Sequence, residues 1–454
     1  MRFISLIFLL LAGILYLFVP YTYDFNYCVV QFIFALFSSI LFLCYKSKEE
    51  GIFNFHLIFI FSYIAVNFLH AIFVFPDDNI FPVFKFPYNY KIIPYALSIA
   101  QLGLQSYIIG VIYCPFLKVK DRKGMENMFN NRIIKRIENL SLFMSGLLLL
   151  YVFVFMKISS GLEHLYPRLM ILIVASIALS VLLRALFLNQ QGDLELKNII
   201  FFNRKNLISI FFFVSSLLYI GSRGSVIFLL LFVAGVVHRY YFKIKAVFFL
   251  PMFLIMLLFM AIITITRITD VNFTTSSVTQ VLKYGYNYLL ESPDASLVVL
   301  TDLIVNARNL YDGVDYVNYN GLLYGQSFFP YLFVFIPFGA SFFTQFFLGK
   351  TTMEVSTGMI LTEWNRAGYG LGTSVVGDIY MNFSLFGVIV LFFFLGFIVR
   401  YSEQRHGIWS QILYFSLLAF SFYIPRASIL CWTDLFAVIV LIYLSFYTKC
   451  KYLG

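Results

Sequence analysis

Five basic side chains stand where an apolar chain would ordinarily have none. Arg223 lies in Gly221-Ser222-Arg223-Gly224, a turn between two apolar runs, Arg267 closes a further run, and Arg426 follows Pro425 between two more. Lys350 and Arg366 lie in the long segment between Arg267 and Arg426. A guanidinium donates hydrogen bonds in a planar fork that matches phosphate oxygens, so arginines held at one depth would suit a lipid-linked diphosphate. Each also has a plainer use as an anchor reaching up to lipid phosphate from the end of a span. Anchoring accounts best for Lys85, Lys91, Lys157, Arg168 and Arg308. Arg223 and Arg426, in very short turns, are harder to spare for it.

Carboxylates could do the complementary work of accepting a proton. Asp378 stands at the start of an apolar run, just after the glycine-rich stretch Gly368-Tyr369-Gly370-Leu371-Gly372-Thr373-Ser374, and Tyr380 and Asn382 follow it. The glycines permit tight turns and close backbone approach. An ionisable residue inside a membrane segment is a functional candidate by default, although Asp378 is also placed to cap the helix start. Glu354 and Glu363 come next as catalytic candidates, with ion pairing to Lys350 and Arg366 as their ordinary alternative. Tyr380, Asn382 and Tyr324 are the candidates for sugar contact, Tyr324 closing a tyrosine-rich stretch from Tyr311. Turn formation and packing are the other use of such tyrosines.

These residues need elements to hold them. The chain has 454 residues, 61% of them hydrophobic and 12% charged, whereas a soluble domain carries about a quarter charged residues. That excludes an ordinary water-soluble protein. It also excludes nucleic-acid binding as the meaning of the net charge of +10, because the basic residues are too thinly spread. Apolar runs long enough to cross about 30 Å of hydrocarbon fall near 3–19, 28–45, 52–75, 95–114, 140–158, 168–187, 207–220, 225–242, 246–266, 373–399, 408–424 and 428–447. The fold class expected is an all-α polytopic membrane protein with about twelve spans. Residues 207–242 are split at Arg223, because an arginine at mid-bilayer is costly and one at a hairpin tip reaches water.

With both termini on the cytoplasmic side, the inner segments hold 21 of the 32 basic residues but 8 of the 22 acidic ones, as the positive-inside rule requires. The first run, Phe3–Val19, reads as an uncleaved span rather than a signal peptide, lacking a small-x-small cleavage site. Three regions follow: 1–266 with spans one to nine, 267–372 as a large periplasmic loop, and 373–454 with spans ten to twelve. At 106 residues the loop is far longer than a connector, and such loops are functional or disordered. Its Tyr, Phe and Leu content favours a folded, partly helical loop. Within it, 328–348 is apolar enough to imitate a span, but Pro330 and Pro337 interrupt it. An interfacial or re-entrant helix pair fits better.

Other signals are weak. The five cysteines are scattered without metal-like spacing, so no metal and no cofactor is expected. The glycine-rich run follows no strand and lacks a Gly-Lys-Ser/Thr end, so it is no nucleotide loop. His70 and His164 are the outward histidines, better suited to polar packing than to catalysis.

The Gly221-Ser222-Arg223-Gly224 turn, the stretch from Leu323-Tyr324-Gly325-Gln326-Ser327-Phe328 through Pro337 to Lys350, and Gly377-Asp378-x-Tyr380-x-Asn382-Phe383 together resemble the O-antigen and oligosaccharide repeat-unit polymerase family of the Wzy type. The pattern extends over most of the chain, with the specific residues mainly in 219–427. Asp378 stands where many members have Glu, and the tryptophan often found ahead of the Lys350 position is absent. The resemblance implies a metal-independent glycosyltransferase of the bacterial inner membrane. It would join undecaprenyl-diphosphate-linked oligosaccharide units at the periplasmic face and release undecaprenyl diphosphate. Its partners would be that substrate, membrane lipid and a possible chain-length regulator. Arg223, Arg267, Lys350, Arg366 and Arg426 would hold the diphosphate, Arg223 also stabilising the leaving group, while Asp378, or else Glu354 or Glu363, would accept the acceptor's proton. A lipid-linked oligosaccharide flippase and an O-antigen ligase are the competing functions.

Overall fold

The computed structural model describes residues 1–51, 53–78, 84, 87–114, 131–155, 166–192, 203–220, 224–244 and 301–452, with the isolated positions 247 and 251. Among them every regular element is a helix. Each expected span but one coincides with a helix; of the run 246–266 only positions 247 and 251 are among the described residues. The helices are α1 (Arg2–Leu17), α2 (Phe25–Glu50), α3 (Phe55–Leu69), α4 (Ile93–Tyr113), α5 (Asn131–Phe155), α6 (Tyr166–Gln191), α7 (Arg204–Ile220) and α8 (Gly224–Val236). After the gap come α9 (Ala307–Asn320), α10 (Gly339–Leu348), α11 (Thr357–Trp364), α12 (Val375–Gln404), α13 (Ile408–Phe420) and α14 (Thr433–Tyr452). Five stretches, Phe25–Ser47, Phe55–Val74, Tyr90–Tyr113, Leu169–Gln191 and Val375–Gln404, are long and apolar enough to cross a membrane, and four shorter apolar helices accompany them.

Local sequence sets the helix ends. Asp24 and Asn54 accept the backbone N–H three residues on, at 3.0 and 2.9 Å, as N-caps of α2 and α3, satisfying donors that the first turn leaves unpaired. Between those helices the chain reverses at Gly51, whose φ of 83° favours a residue without Cβ. α7 is described to Ile220 and α8 from Gly224; residues 221–223, where the sequence divides the two runs, lie outside the described residues.

The chain forms two compact units. One comprises Met1–Leu117, Leu300–Arg405 and Ser421–Cys431. Its axis is α4, buried along nearly its whole length. α12 lies parallel beside α4: Tyr95 meets Tyr380 at one end, and Tyr107 meets Gly396 towards the other. Glycines make this approach possible. A Cβ on Gly110 would stand 2.0 Å from the Phe393 carbonyl oxygen, and one on Gly396 would stand 2.2 Å from that of Tyr107. Where lipid offers no hydrophobic drive to association, such backbone-to-backbone packing is the main attraction.

The segment 328–348 belongs to the same unit. It is a 3₁₀ turn (Phe329–Phe333) followed by the ten-residue α10, about 15 Å long and so half the hydrocarbon thickness. Phe338, Phe342, Phe346 and Phe347 are exposed along it.

The other unit comprises Lys118–Val299, His406–Phe420 and Trp432–Gly454. There α6 packs against α5, α8 and α14, and a buried ion pair joins Arg184 to Glu138 at 2.6 Å.

Candidate functional site

The polar group that matters most lies at the start of α12. Ser374, not Asp378, caps that helix, its Oγ accepting from Gly377 N at 3.0 Å. The carboxylate of Asp378 is thereby left for other partners, and it is 1% exposed. Its Oδ1 receives the Ser327 hydroxyl and the Thr357 hydroxyl, both at 2.9 Å. Its Oδ2 is buried with no hydrogen-bond partner, although the Ser428 side chain lies beside the carboxylate. An unpartnered oxygen on a buried acid is costly and marks a place where a ligand donor would be welcome.

Three backbone features bring these partners in. α12 is broken at Ser384, which has φ 57° and ψ −161°. Just before that break, the Met381 carbonyl accepts Leu323 N at 2.8 Å. That bond docks the 323–328 turn, built on positive φ at Tyr324 and Gly325, and the turn carries Ser327. Asn382 fixes Ser327 further, its Nδ2 donating to Ser327 Oγ at 2.8 Å and to the Asp378 carbonyl at 2.7 Å. Thr357 arrives because α11 starts against the turn at Gly372, where a Cβ on Gly358 would lie 3.1 Å from the Gly372 carbonyl carbon. Within the glycine-rich run only Gly372 (φ 78°) makes such a turn, Gly368 and Gly370 having nothing close, and beyond it Gly377 allows a close approach to the Asn309 carbonyl.

The other expected site residues divide into those nearby and those apart. Tyr380 is 5% exposed and turns its hydroxyl towards that of Tyr95, 3.3 Å away. Arg426 lies two residues before Ser428, its guanidinium over the Tyr423 ring at 5.5 Å. Tyr324 is 83% exposed. Lys350, Glu354, Glu363 and Arg366 are exposed on the loop, and among the described residues no hydrogen bond or ion pair joins them to Asp378. Glu354 accepts Thr351 N at 2.6 Å, and that backbone bond holds its carboxyl below the usual range. Arg223 and Arg267 lie outside the described residues.

Two buried polar clusters lie beside this site, and of their members the sequence singled out Arg308 and His70 alone. Arg308, expected to be a surface anchor, is fully buried. It donates to Asp312 Oδ2 at 3.0 Å, to Asn365 Oδ1 at 3.1 Å and to the Pro87 carbonyl at 3.3 Å. It ties α9 to the loop before α4 and to the end of α11. Burial pushes the Asp312 carboxyl up to about 6, against the opposing pull of Arg308. Beside it, His70 lies 3.2 Å from both Tyr311 Oη and Asp78 Oδ2, and Tyr88 donates to the same Asp78 oxygen. With His70 entirely buried, this is the polar packing anticipated for it. A separate cavity of about 50 Å³ lies at the opposite end of α12, lined by Arg2, Lys46 and Arg400 among others. It is far from Asp378, and its position marks the basic end of the unit rather than the candidate site.

Apolar helices of this length, bound into units with buried ionisable groups, define a multi-pass membrane protein. The chain belongs to the family described as O-antigen polysaccharide polymerase Wzy, whose model matches residues 1–453. It is therefore a glycosyltransferase-like polymerase of polysaccharide biosynthesis, acting on lipid-linked oligosaccharides in the membrane. No curated protein and no solved structure matches the chain.

Proposed function

We propose that the chain joins undecaprenyl-diphosphate-linked repeat units at the periplasmic face of the bacterial inner membrane, without a metal, and releases undecaprenyl diphosphate. The observation that carries this reading is Asp378, a buried carboxylate with one oxygen held and the other without a partner. The non-reducing-end hydroxyl of the incoming unit attacks the anomeric carbon of the growing chain. The bond from that carbon to the diphosphate oxygen breaks, and the hydroxyl proton passes to Asp378. Arg426 stands two residues from Ser428 and with Arg223, Arg267, Lys350 and Arg366 forms the group proposed to hold the diphosphate and stabilise its leaving charge. Asp378 is preferred to Glu354 and Glu363 because it alone of the three is buried. Tyr324, Tyr380 and Asn382 remain the proposed sugar contacts.

The periplasmic assignment is supported by the separation of charge within one unit. Arg2, Lys46 and Arg400 gather at the end of α12 away from Asp378, and basic ends face the cytoplasm. Both termini are accordingly proposed to be cytoplasmic. A chain-length regulator is proposed as a partner on the family's pattern alone.

Deleting the gene and examining the surface glycan tests the function. Single repeat units on the lipid core are the expected product. Complete absence of repeat units would point instead to a flippase or ligase.

A further inference from the structure

The hydroxyls around Asp378 have one proton each, and counting those protons fixes more than their distances do. An ionised carboxylate only accepts. Ser327 must therefore spend its hydroxyl proton on Asp378 Oδ1, and its oxygen can accept from Asn382 Nδ2. Thr357 likewise donates to Oδ1, with the Thr373 hydroxyl 3.0 Å away as a second acceptor for the same proton, while Thr373 gives its own to the Ser374 carbonyl at 3.4 Å. Two donors, Ser327 backed by Asn382 and Thr357 acting directly, thus converge on the same oxygen. They come from different segments: residues 327, 357 and 382 belong to the 323–328 turn, the start of α11, and α12 itself. Protonating Asp378 does not reverse them, since a protonated carboxyl still accepts at Oδ1 while Oδ2 carries the hydrogen.

We infer that Asp378 Oδ2 is the docking point of the acceptor sugar's hydroxyl and the atom that takes its proton, and that Ser327 and Thr357 are positioning residues that hold Oδ1 and so aim Oδ2. The inference rests on the reading of Asp378 as proton acceptor and adds which oxygen acts and what orients it. The ligand class is a sugar hydroxyl, a neutral donor that supplies the hydrogen bond Oδ2 lacks. Ser428, whose Oγ accepts Leu430 N at 3.4 Å, is the protein hydroxyl that approaches the carboxylate besides the two on Oδ1, and the sugar hydroxyl would enter at its side. During transfer the proton moves from the acceptor oxygen to Oδ2 while the two Oδ1 donors stay in place and stabilise the carboxylate before the step. No redox change is involved.

The test uses the purified full-length chain in liposomes and a polyprenyl-diphosphate-linked repeat unit extracted from cells lacking the polymerase. Thr357→Val and Ser327→Ala each remove one donor to Oδ1, and each is expected to lower kcat about tenfold or more with KM for the lipid-linked unit within about twofold. Thr357→Ser keeps the hydroxyl and is expected to restore most of the rate, which a role in packing the methyl group would not allow. Should Thr357→Val fail to accumulate, Ser327→Ala carries the same comparison, its fold checked by the melting temperature. Asp378→Asn separates the two levels. If it polymerises normally, the reading of Asp378 fails and takes the inference with it. If it is inactive while Ser327→Ala and Thr357→Val keep wild-type kcat, or fall only through KM, the positioning role alone is overturned.

Discussion

At the scale of single residues the chain places its ionisable groups in two ways, and burial decides which way each goes. Glu354, exposed, settles for a backbone donor three residues away, whereas Arg308 and Asp312 are buried together and depend on each other. Taking one partner from a buried pair leaves an uncompensated charge. Arg308→Met should therefore cost about 3–5 kcal/mol of stability, read as a fall in melting temperature of the detergent-purified protein. The Asp312 carboxyl also makes a pH prediction with a definite sign. Its folded value is raised from 3.8 to about 6, so the native state holds the proton more tightly than the unfolded chain. Its contribution is fully present below pH 4 and is lost as pH rises from about 4 to about 6. Compared with Asp312→Asn, which cannot titrate, the wild type should lose stability across that window. A difference that is flat or rises with pH would show that the carboxyl is not raised.

Asp378 was legible in the sequence as a lone carboxylate at the mouth of an apolar run, and Asn382 one helical turn on. Their partners were not. Ser327 and Thr357 stand 51 and 21 residues from Asp378, and single hydroxyl residues carry no spacing that marks them. Arg308 looked like an anchor because the sequence does not reveal that Asn365, 57 residues later, returns to cover it.

At the scale of elements, hydropathy located the helices well, because a run of apolar residues flanked by Asp24, Asn54 or a glycine pair leaves little freedom in where a helix starts. What hydropathy could not give was the break within α12. A run that reads as one uninterrupted span over 373–399 contains a left-handed residue at Ser384, a conformation that costs a non-glycine side chain about 1–3 kcal/mol. Ser384→Gly should be stabilising or neutral, and Ser384→Val, with a branched Cβ in the same conformation, should be destabilising. Thermal unfolding of both variants checks the pair, and the reverse order would mean that the helix is continuous. The α4–α12 crossing yields a second prediction. Gly110→Ala places a methyl carbon 2.0 Å from a backbone carbonyl oxygen, and neither backbone can yield as a flexible side chain would. A loss of at least about 1–3 kcal/mol is expected. Gly368→Ala, which meets nothing within 4 Å, is its control.

At the scale of the whole molecule, chain order and folding divide the protein differently. Chain order divides the protein into spans, loop and spans, but the folded units draw on separated stretches, and the loop residues from 300 onward join the first four helices. Charge counting predicts that the end of the first unit lined by Arg2, Lys46 and Arg400 faces the cytoplasm. Single cysteines in a cysteine-free background test that orientation. Tyr324→Cys, strongly exposed beside the candidate site, should react with a membrane-impermeant maleimide in cells whose outer membrane alone is opened. Arg405→Cys, at the far end of α12, should react only after the inner membrane is breached. The opposite pattern would place the site in the cytoplasm and exclude a periplasmic polymerase.

Asp378 is proposed to perform the proton transfer of polymerisation, and the cell gives the most direct measurement of it. Replacing the chromosomal copy with Asp378→Asn, and comparing Asp378→Glu, isolates the carboxylate from its shape. With membrane levels of both proteins equal to wild type, Asp378→Asn should leave only single repeat units on the lipid core, and Asp378→Glu should recover at least part of the polymer ladder. A full ladder of normal length from Asp378→Asn would contradict the account.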